Sequence, residues 1–177
     1  MTELLEELLS RAKARGATEA DAFLIQEQHV AVSVRLGQPE AVTHAREQRL
    51  SLRVFLGKAA ASASTSDLSR DSLERLVDEA TSLARLTAAD PLAGLPDPGE
   101  MATLIPDLDL YDPDGHAIAL EEKLALAKRA EAAALAADPR ITNSEGTEAF
   151  DRQAEYVYAT SQGFVGTYRT SSFSLTV

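Results

Sequence analysis

Leu4, Leu5, Leu8, Leu9 and Ala12 recur at helical spacing, so residues 3 to 15 carry one apolar stripe and predict an amphipathic helix. Glu3, Glu6 and Glu7 fall in its early turns, where negative charge suits the helix dipole, and Gly16 is placed to stop it. From Glu19 the helical period gives way. Ala22 to Ile25 is a short apolar run, and Val30, Val32, Val34 and Leu36 then recur at every second position, which predicts one long strand, or two sharing a bend, up to Gly37. After the Gly37-Gln38-Pro39 turn, Ala41-Val42-Thr43 predicts a short return strand. Leu50, Leu52, Val54 and Leu56 follow at period two, with Arg49, Ser51 and Arg53 on the opposite face. Gly57-Lys58 closes another hairpin before a small-residue strand, Ala59 to Thr65. The sum is an antiparallel meander of roughly four strands over residues 19 to 65.

A sheet of alternating residues needs an apolar cover on one face. Leu73, Leu76, Val77, Ala80, Leu83 and Ala84 supply it on a second helix, residues 70 to 86, with Ser69 as N-cap and Asp71 in the first turn. Residues 88 to 117 hold five of the seven prolines with Gly94, Gly99, Gly115 and many aspartates, and read as a long irregular connection. A third, Ala-rich helix spans 118 to 137, its narrow face built from Leu120, Leu124, Ala127, Ala130 and Ala134, and Asp138-Pro139 ends it. Ile141 to Gly146 reads as a short strand and turn, and two β-rich runs, Ala149 to Ser161 and Phe164 to Val177, join at Gly163 as a hairpin. The fold class is therefore α+β: an antiparallel β-meander covered by helices, then a helix and a further antiparallel hairpin. The implied organisation is an α+β unit over 1–87, an Asp/Pro-rich connection over 88–117, and a helix with β-hairpin over 118–177. The last run stops at Ser174-Leu175-Thr176-Val177 with no turn or cap, so a C-terminal domain beyond Val177 is expected to complete the edge.

Composition narrows the function classes. With 177 residues, 45% hydrophobic and 25% charged, the chain can bury a core without disulfide or metal staples. Aromatics make up 5% and Trp is absent, which leaves little for base stacking. The net charge of -11 has the wrong sign for neutralising phosphates or docking on anionic lipid, so a protein or peptide partner is favoured over nucleic acid or membrane. The absence of cysteine excludes thiol nucleophiles, Cys-ligated zinc and iron–sulfur ligation. The acidic N-terminus does not read as a signal peptide and no run approaches a membrane span, so a cytoplasmic address is expected.

Few residues could carry chemistry. His29, His44 and His116 are the only imidazoles, and no two sit at i, i+4 on a helix. His44-Ala-Arg-Glu47 lies in strand-and-turn sequence, where i and i+3 point to opposite faces. Asp112, Asp114, Gly115 and Glu121 match positions 3, 5, 6 and 12 of a calcium loop, but Leu110 stands at position 1 where a carboxylate is required. An Asp/Pro turn whose side chains cap backbone amides is the better reading there. Asn143-Ser144-Glu145-Gly146 sets a serine beside a carboxylate with no activating base near in sequence, and reads as a tight turn with Gly146 at positive φ. Gly163-Phe-Val-Gly166 has GxxG spacing but no basic residue between its glycines, and reads as a hairpin connection. Ser62, Ser64, Thr65 and Ser66 read as a strand leaving the sheet. No catalytic or metal-ligating residue is assigned, and the peptide- or partner-binding residues stay unassigned.

Several word-like segments, in order along the chain, resemble the TldD/PmbA family, the "modulator of DNA gyrase" metalloproteases. They are Gly16-Ala-Thr-Glu-Ala, Ser62 to Leu68, Asp90-Pro-Leu-Ala-Gly-Leu, Pro106-Asp-Leu-Asp-Leu-Tyr and Arg140-Ile-Thr-Asn-Ser-Glu-Gly, the last pointing to the PmbA (TldE) side. The resemblance implies the α+β N-terminal region of a longer subunit with a mostly β C-terminal domain. It also implies a heterodimer whose TldD-like subunit supplies zinc on a helical H-E-x-x-x-H, cleaving unfolded peptides that include a microcin leader and an antitoxin. This chain has no H-E-x-x-x-H, so none of the family's catalytic residues carries over to it. The implied partners are a TldD-like subunit and unfolded peptides, with self-association left open, and no cofactor is expected in this chain. Two other readings stand beside this one: a stand-alone protein-binding regulatory module, and an enzyme using Asp107, Asp109, Asp112 or Asp114, which a loop would position too loosely for catalysis.

Overall fold

The computed structural model describes residues 1–114 and 118–177. Helix α1 (Thr2–Ala14) is followed by strands β1 (Glu19–Arg35), β2 (Gln38–Leu56) and β3 (Ala59–Thr65), helix α2 (Arg70–Leu86), a short 3-10 turn at Pro98–Glu100, helix α3 (Leu120–Ala136), and strands β4 (Thr147–Thr160) and β5 (Val165–Thr176). The strands form one antiparallel sheet in the order β3-β2-β1-β4-β5, so the class is α+β as expected. The chain divides into two compact units, Met1–Gln26 with Gln48–Asp107 and Glu155–Tyr168, and Glu27–Glu47 with Leu108–Ala154 and Arg169–Val177. No helix among the described residues is long and apolar enough to cross a membrane.

The first unit holds the larger core. The apolar stripes of α1 (Leu5, Leu8, Leu9, Ala12) and α2 (Leu73, Leu76, Val77, Ala80, Ala84) close over strand residues of one parity: Ala20, Ala22 and Leu24, then Leu50, Leu52 and Val54, then Val157 and Ala159. That is the helical and two-residue periodicity of the sequence converted into contact, and each leucine so buried contributes roughly 1.5–3 kcal/mol. Gly16 stops α1 as expected. At φ +101 it lets its own N–H reach the Lys13 carbonyl (3.0 Å) and that of Ala17 reach the Ala12 carbonyl (3.1 Å), a Schellman ending. β3 pairs with β2 from Leu50↔Thr65 to Leu56↔Ala59.

Two expectations are corrected in this region. The meander has three strands, because the proposed return strand at 41–43 and the strand at 50–56 are both parts of β2. The polar stretch between them needs no turn: most of β2 before Leu50 is exposed, so neither face has to be apolar. Ser69 does occupy the N-cap of α2 with extended backbone, yet its hydroxyl donates to Asp67 Oδ2 at 2.9 Å and makes no bond to the helix.

The second unit has a small apolar core of Val34, Ala127 and Ala149, with Leu124 at its margin. Here α3 departs from its expected face. Its buried residues are Lys123, Ala127 and Glu131, spaced four apart, while Leu120 is exposed. Apolar spacing misplaced the face because Asp151 on β4 offers a partner to Lys123, and the Leu36–Gly37 turn and Ser144 offer partners to Glu131. Residues 141–146 form no strand. They run irregularly to Gly146, whose φ of +119 delivers the chain into β4.

Candidate functional site

Each unit gathers polar groups around buried carboxylates, Asp21 in the first and Asp151 and Glu131 in the second. In the first, Asp21 on β1 is 5% exposed; it accepts from Arg53 Nε (3.0 Å) and Nη2 (2.5 Å) on β2 and from the Tyr158 hydroxyl (2.9 Å) on β4. Asp21 and Arg53 lie on the strand parity opposite the leucine core, so the sheet brings together residues far apart in sequence. Burial, reinforced by the bond to Asp21, pushes the Tyr158 hydroxyl up to about 12. The Asp21 carboxylate raises Arg53 above its ordinary value, against the opposing effect of burial. Tyr158 therefore stays a neutral donor and Arg53 a cation through the physiological range, which makes the trio a fixed polar clamp.

In the second unit, Lys123 Nζ lies 2.9 Å from Asp151 Oδ1, with the two side chains 3% and 9% exposed, and also donates to the Ile118 carbonyl at 2.7 Å. Two turns along α3, Glu131 is 1% exposed and accepts the backbone N–H of Leu36 (2.8 Å), that of Gly37 (2.7 Å) and the Ser144 hydroxyl. Leu36 and Gly37 have φ of +48 and +74, the hairpin geometry that turns two successive N–H groups toward one acceptor. The Ser144 hydroxyl, then the Gly37 and Leu36 amides, hold the Glu131 carboxyl below the usual carboxylate range despite its burial.

The residues singled out in the sequence are dispersed. His29 tilts against the Phe150 ring at 5.6 Å between centroids, His44 is exposed on β2 with Glu47 three residues on, and His116 lies outside the described residues. Asp112 Oδ1 accepts the Asp114 N–H at 2.9 Å, which is the amide-capping turn; Glu121 is exposed at the start of α3, Leu110 is 46% exposed, and Gly115 is not among the described residues. Asp107 and Asp109 are exposed, Asp109 at φ +54. Ser144 meets Glu131, and it is this carboxylate that orders it. Ser62, Ser64 and Thr65 lie on β3, and Thr65 Oγ1 accepts the Asp67 N–H at 3.1 Å where the chain leaves the sheet beyond Ser66. Gly163, at φ +97, turns β4 into β5, and a Cβ on Gly166 would come within 3.0 Å of Ile105. Among the described residues no three His, Asp or Glu side chains are grouped to hold a metal ion, and the carboxylates of Asp21, Glu131 and Asp151 are committed to bonds within the fold. These donors do not fit a zinc centre. No periodicity or motif points to Asp21, Tyr158, Lys123 and Glu131; the one signal is a lysine and a glutamate flanking Ala127 at four-residue intervals on α3.

Comparison with known proteins places this arrangement. The model of the PmbA/TldA metallopeptidase domain 1 matches residues 20–84, and that of the PmbA/TldA metallopeptidase central domain matches residues 113–177. The chain belongs to the PmbA/TldD metallopeptidase family. It is similar to metalloprotease PmbA of Escherichia coli O157:H7, with 36% identity over 176 residues, covering 98% of this chain and 39% of the relative. A PmbA homolog of Haemophilus influenzae is 36% identical over 163 residues, covering 91% of this chain and 35% of the relative. The chain thus spans roughly two-fifths of the length of these PmbA relatives. Among solved structures, a candidate modulator of DNA gyrase from Bacteroides thetaiotaomicron superposes with TM-score 0.89 at 26% identity, covering 98% of this chain and 39% of that one. TldE from Thermococcus kodakarensis shares the fold, with TM-score 0.73 at 16% identity over 97% of this chain and 38% of that one. The two family models leave residues 85–112, most of the Pro/Asp-rich connection, between them, whereas the alignment to the Escherichia coli relative runs over 176 residues.

Proposed function

We propose that this chain is the N-terminal portion of a PmbA/TldE-type subunit, a scaffold within a TldD/TldE-type metalloprotease that cleaves unfolded peptides. The observation that carries this reading is the likeness to PmbA proteins, 36% identity over 98% of this chain for the Escherichia coli relative and over 91% for the Haemophilus influenzae one. It supports the PmbA/TldE side of the family, with a TldD-like partner as the subunit that would hold zinc. The net charge of -11 supports polypeptide over nucleic acid as the ligand.

The test is to purify the whole protein alone and with a TldD-like subunit, and to measure association, bound zinc and cleavage of an unstructured peptide. Association, zinc in the partner and cleavage only by the pair are expected. Stoichiometric zinc with cleavage by this subunit alone, or no association and no effect on the partner's activity, would overturn the reading.

A further inference from the structure

Strand β2 is 19 residues long, about twice the usual upper length, and β3 pairs only with its last part, from Leu50 to Leu56. β3 stops at Thr65 because the chain then turns into α2, so the outer edge of β2 from Gln38 to Arg49 is left open by the path of the chain itself. Residues 38–44 are all exposed.

The two turns that bound β2 fix which way its backbone faces. Gln38 closes the Leu36–Gly37 turn and so bonds inward to Arg35 on β1, whereas Leu56 closes the Gly57–Lys58 turn and so bonds to Ala59 on β3. In an unbroken strand, residues an even number apart bond to the same side. Gln38 and Leu56 bond to opposite sides, so β2 holds a β-bulge. The bulge lies between the turn and Arg46, because Arg46 with Gln28, and Gln48 with Gln26, already keep the register in which Arg53 meets Asp21. Ahead of the bulge the odd residues turn N–H and C=O outward, and beyond it the even residues do.

Charge and proline usually keep such an edge from pairing at random, and this one carries Pro39, Glu40, Arg46, Glu47 and Arg49. A second copy of the same strand is the exception. Laid antiparallel, it has to bring outward odd residues against outward even ones, so the two-fold axis falls between residues and moves one residue at a time. With the axis between His44 and Ala45, Ala41 pairs with Gln48 and Glu40 stands opposite Arg49, once on each side. One step toward the turn opposes Glu40 to Glu47 and asks Pro39 for an N–H that it lacks. One step the other way sets Ala41 against Leu50, whose outward groups β3 already holds. Glu40 and Arg49 are exposed, and neither has an ion-pair partner among the described residues.

We infer that two copies of this chain associate through the outer edge of β2, antiparallel about an axis between His44 and Ala45, with Glu40 of each copy paired to Arg49 of the other. Main-chain bonds supply the attraction, and the two charge pairs set the register. Self-pairing at β2 is independent of the scaffold role above.

The test is sedimentation velocity of the whole protein over a range of concentrations, where a concentration-dependent dimer is expected. Glu40→Arg makes both charge pairs repulsive, as does Arg49→Glu, and each variant alone should associate roughly tenfold more weakly or worse. An equimolar mixture of the two variants restores both pairs, as does the double variant Glu40→Arg/Arg49→Glu, and both should recover the dimer, which a misfolded variant could not do. In the dimer the Gln48 amide should also gain protection from hydrogen exchange. A monomer at every concentration, single variants that associate like the unmodified protein, or a mixture no better than its components would overturn the inference. So would a TldD-like subunit whose binding is lost on Glu40→Arg while the protein alone stays monomeric, since the edge would then serve that partner.

Discussion

Replacing Lys123 by Met leaves the Asp151 carboxylate, 9% exposed, without its cation. Asp151 Oδ1 makes no hydrogen bond of good geometry, so the ion pair at 2.9 Å is what balances its charge. Removing one member of a buried pair typically costs about 3–5 kcal/mol, because the survivor keeps its desolvation penalty without the attraction that offset it. Against a total stability of roughly 5–15 kcal/mol this is severe. Asp151→Leu alone should be similarly damaging, since it leaves Lys123 with the Ile118 carbonyl as its remaining partner among the described residues. The double variant Lys123→Met/Asp151→Leu removes both charges and keeps comparable volume, and should return to within about 2 kcal/mol of the unmodified chain. The assay is urea unfolding followed by circular dichroism at neutral pH for all four proteins. A strongly non-additive cycle, with a coupling of several kcal/mol, is expected. Additive single costs would refute the claim that α3 is docked through a buried ion pair.

Two further outcomes follow from the same packing. Tyr158→Phe removes the donor to Asp21, and because the folded value of about 12 lies above the ordinary 10.0, the hydroxyl contributes stability that is fully present below pH 10 and fades as pH rises through 12. The shift would correspond to up to about 2.7 kcal/mol if fully buried, and solvent screening at this half-exposed cluster reduces that to about 1 kcal/mol. The gap in urea midpoint between the two proteins should therefore close as pH rises, and a gap that widens, or tyrosinate absorbance showing all tyrosines titrating together near 10, contradicts the clamp. Gly146→Ala forces an L-residue to φ +119 and puts its Cβ 3.3 Å from the Val34 carbonyl oxygen, so a loss of roughly 1–3 kcal/mol should appear in thermal melts; an unchanged melt would show that the turn relaxes freely.

What was legible in the sequence, and what was not, divides along one physical line. Helices α1 and α2 and strand residues 50–56 were readable because each buries one apolar face, and there a periodicity of 3.6 or 2 is a record of the core. The first half of β2 has no covered face, so its sequence carries no such record and reads as a short strand at 41–43 separate from the one at 50–56. On α3 the rule inverts. Its apolar core is only Val34, Ala127 and Ala149, too small to choose among helix positions by burial, and its neighbours at four-residue spacing are charged. Those charges do the choosing. Sliding α3 by one turn would set Ala127 where Lys123 meets Asp151 and move Glu131 onto Val34 and Ala149, leaving one buried carboxylate unpaired and burying another away from the Leu36, Gly37 and Ser144 donors. Each fault costs several kcal/mol, whereas one alanine replacing another in the same groove costs almost nothing. The register of α3 is therefore set by partners at Leu36, Gly37, Ser144 and Asp151, residues that adjacency in sequence does not connect to it, and a hydrophobic pattern had no means of revealing them.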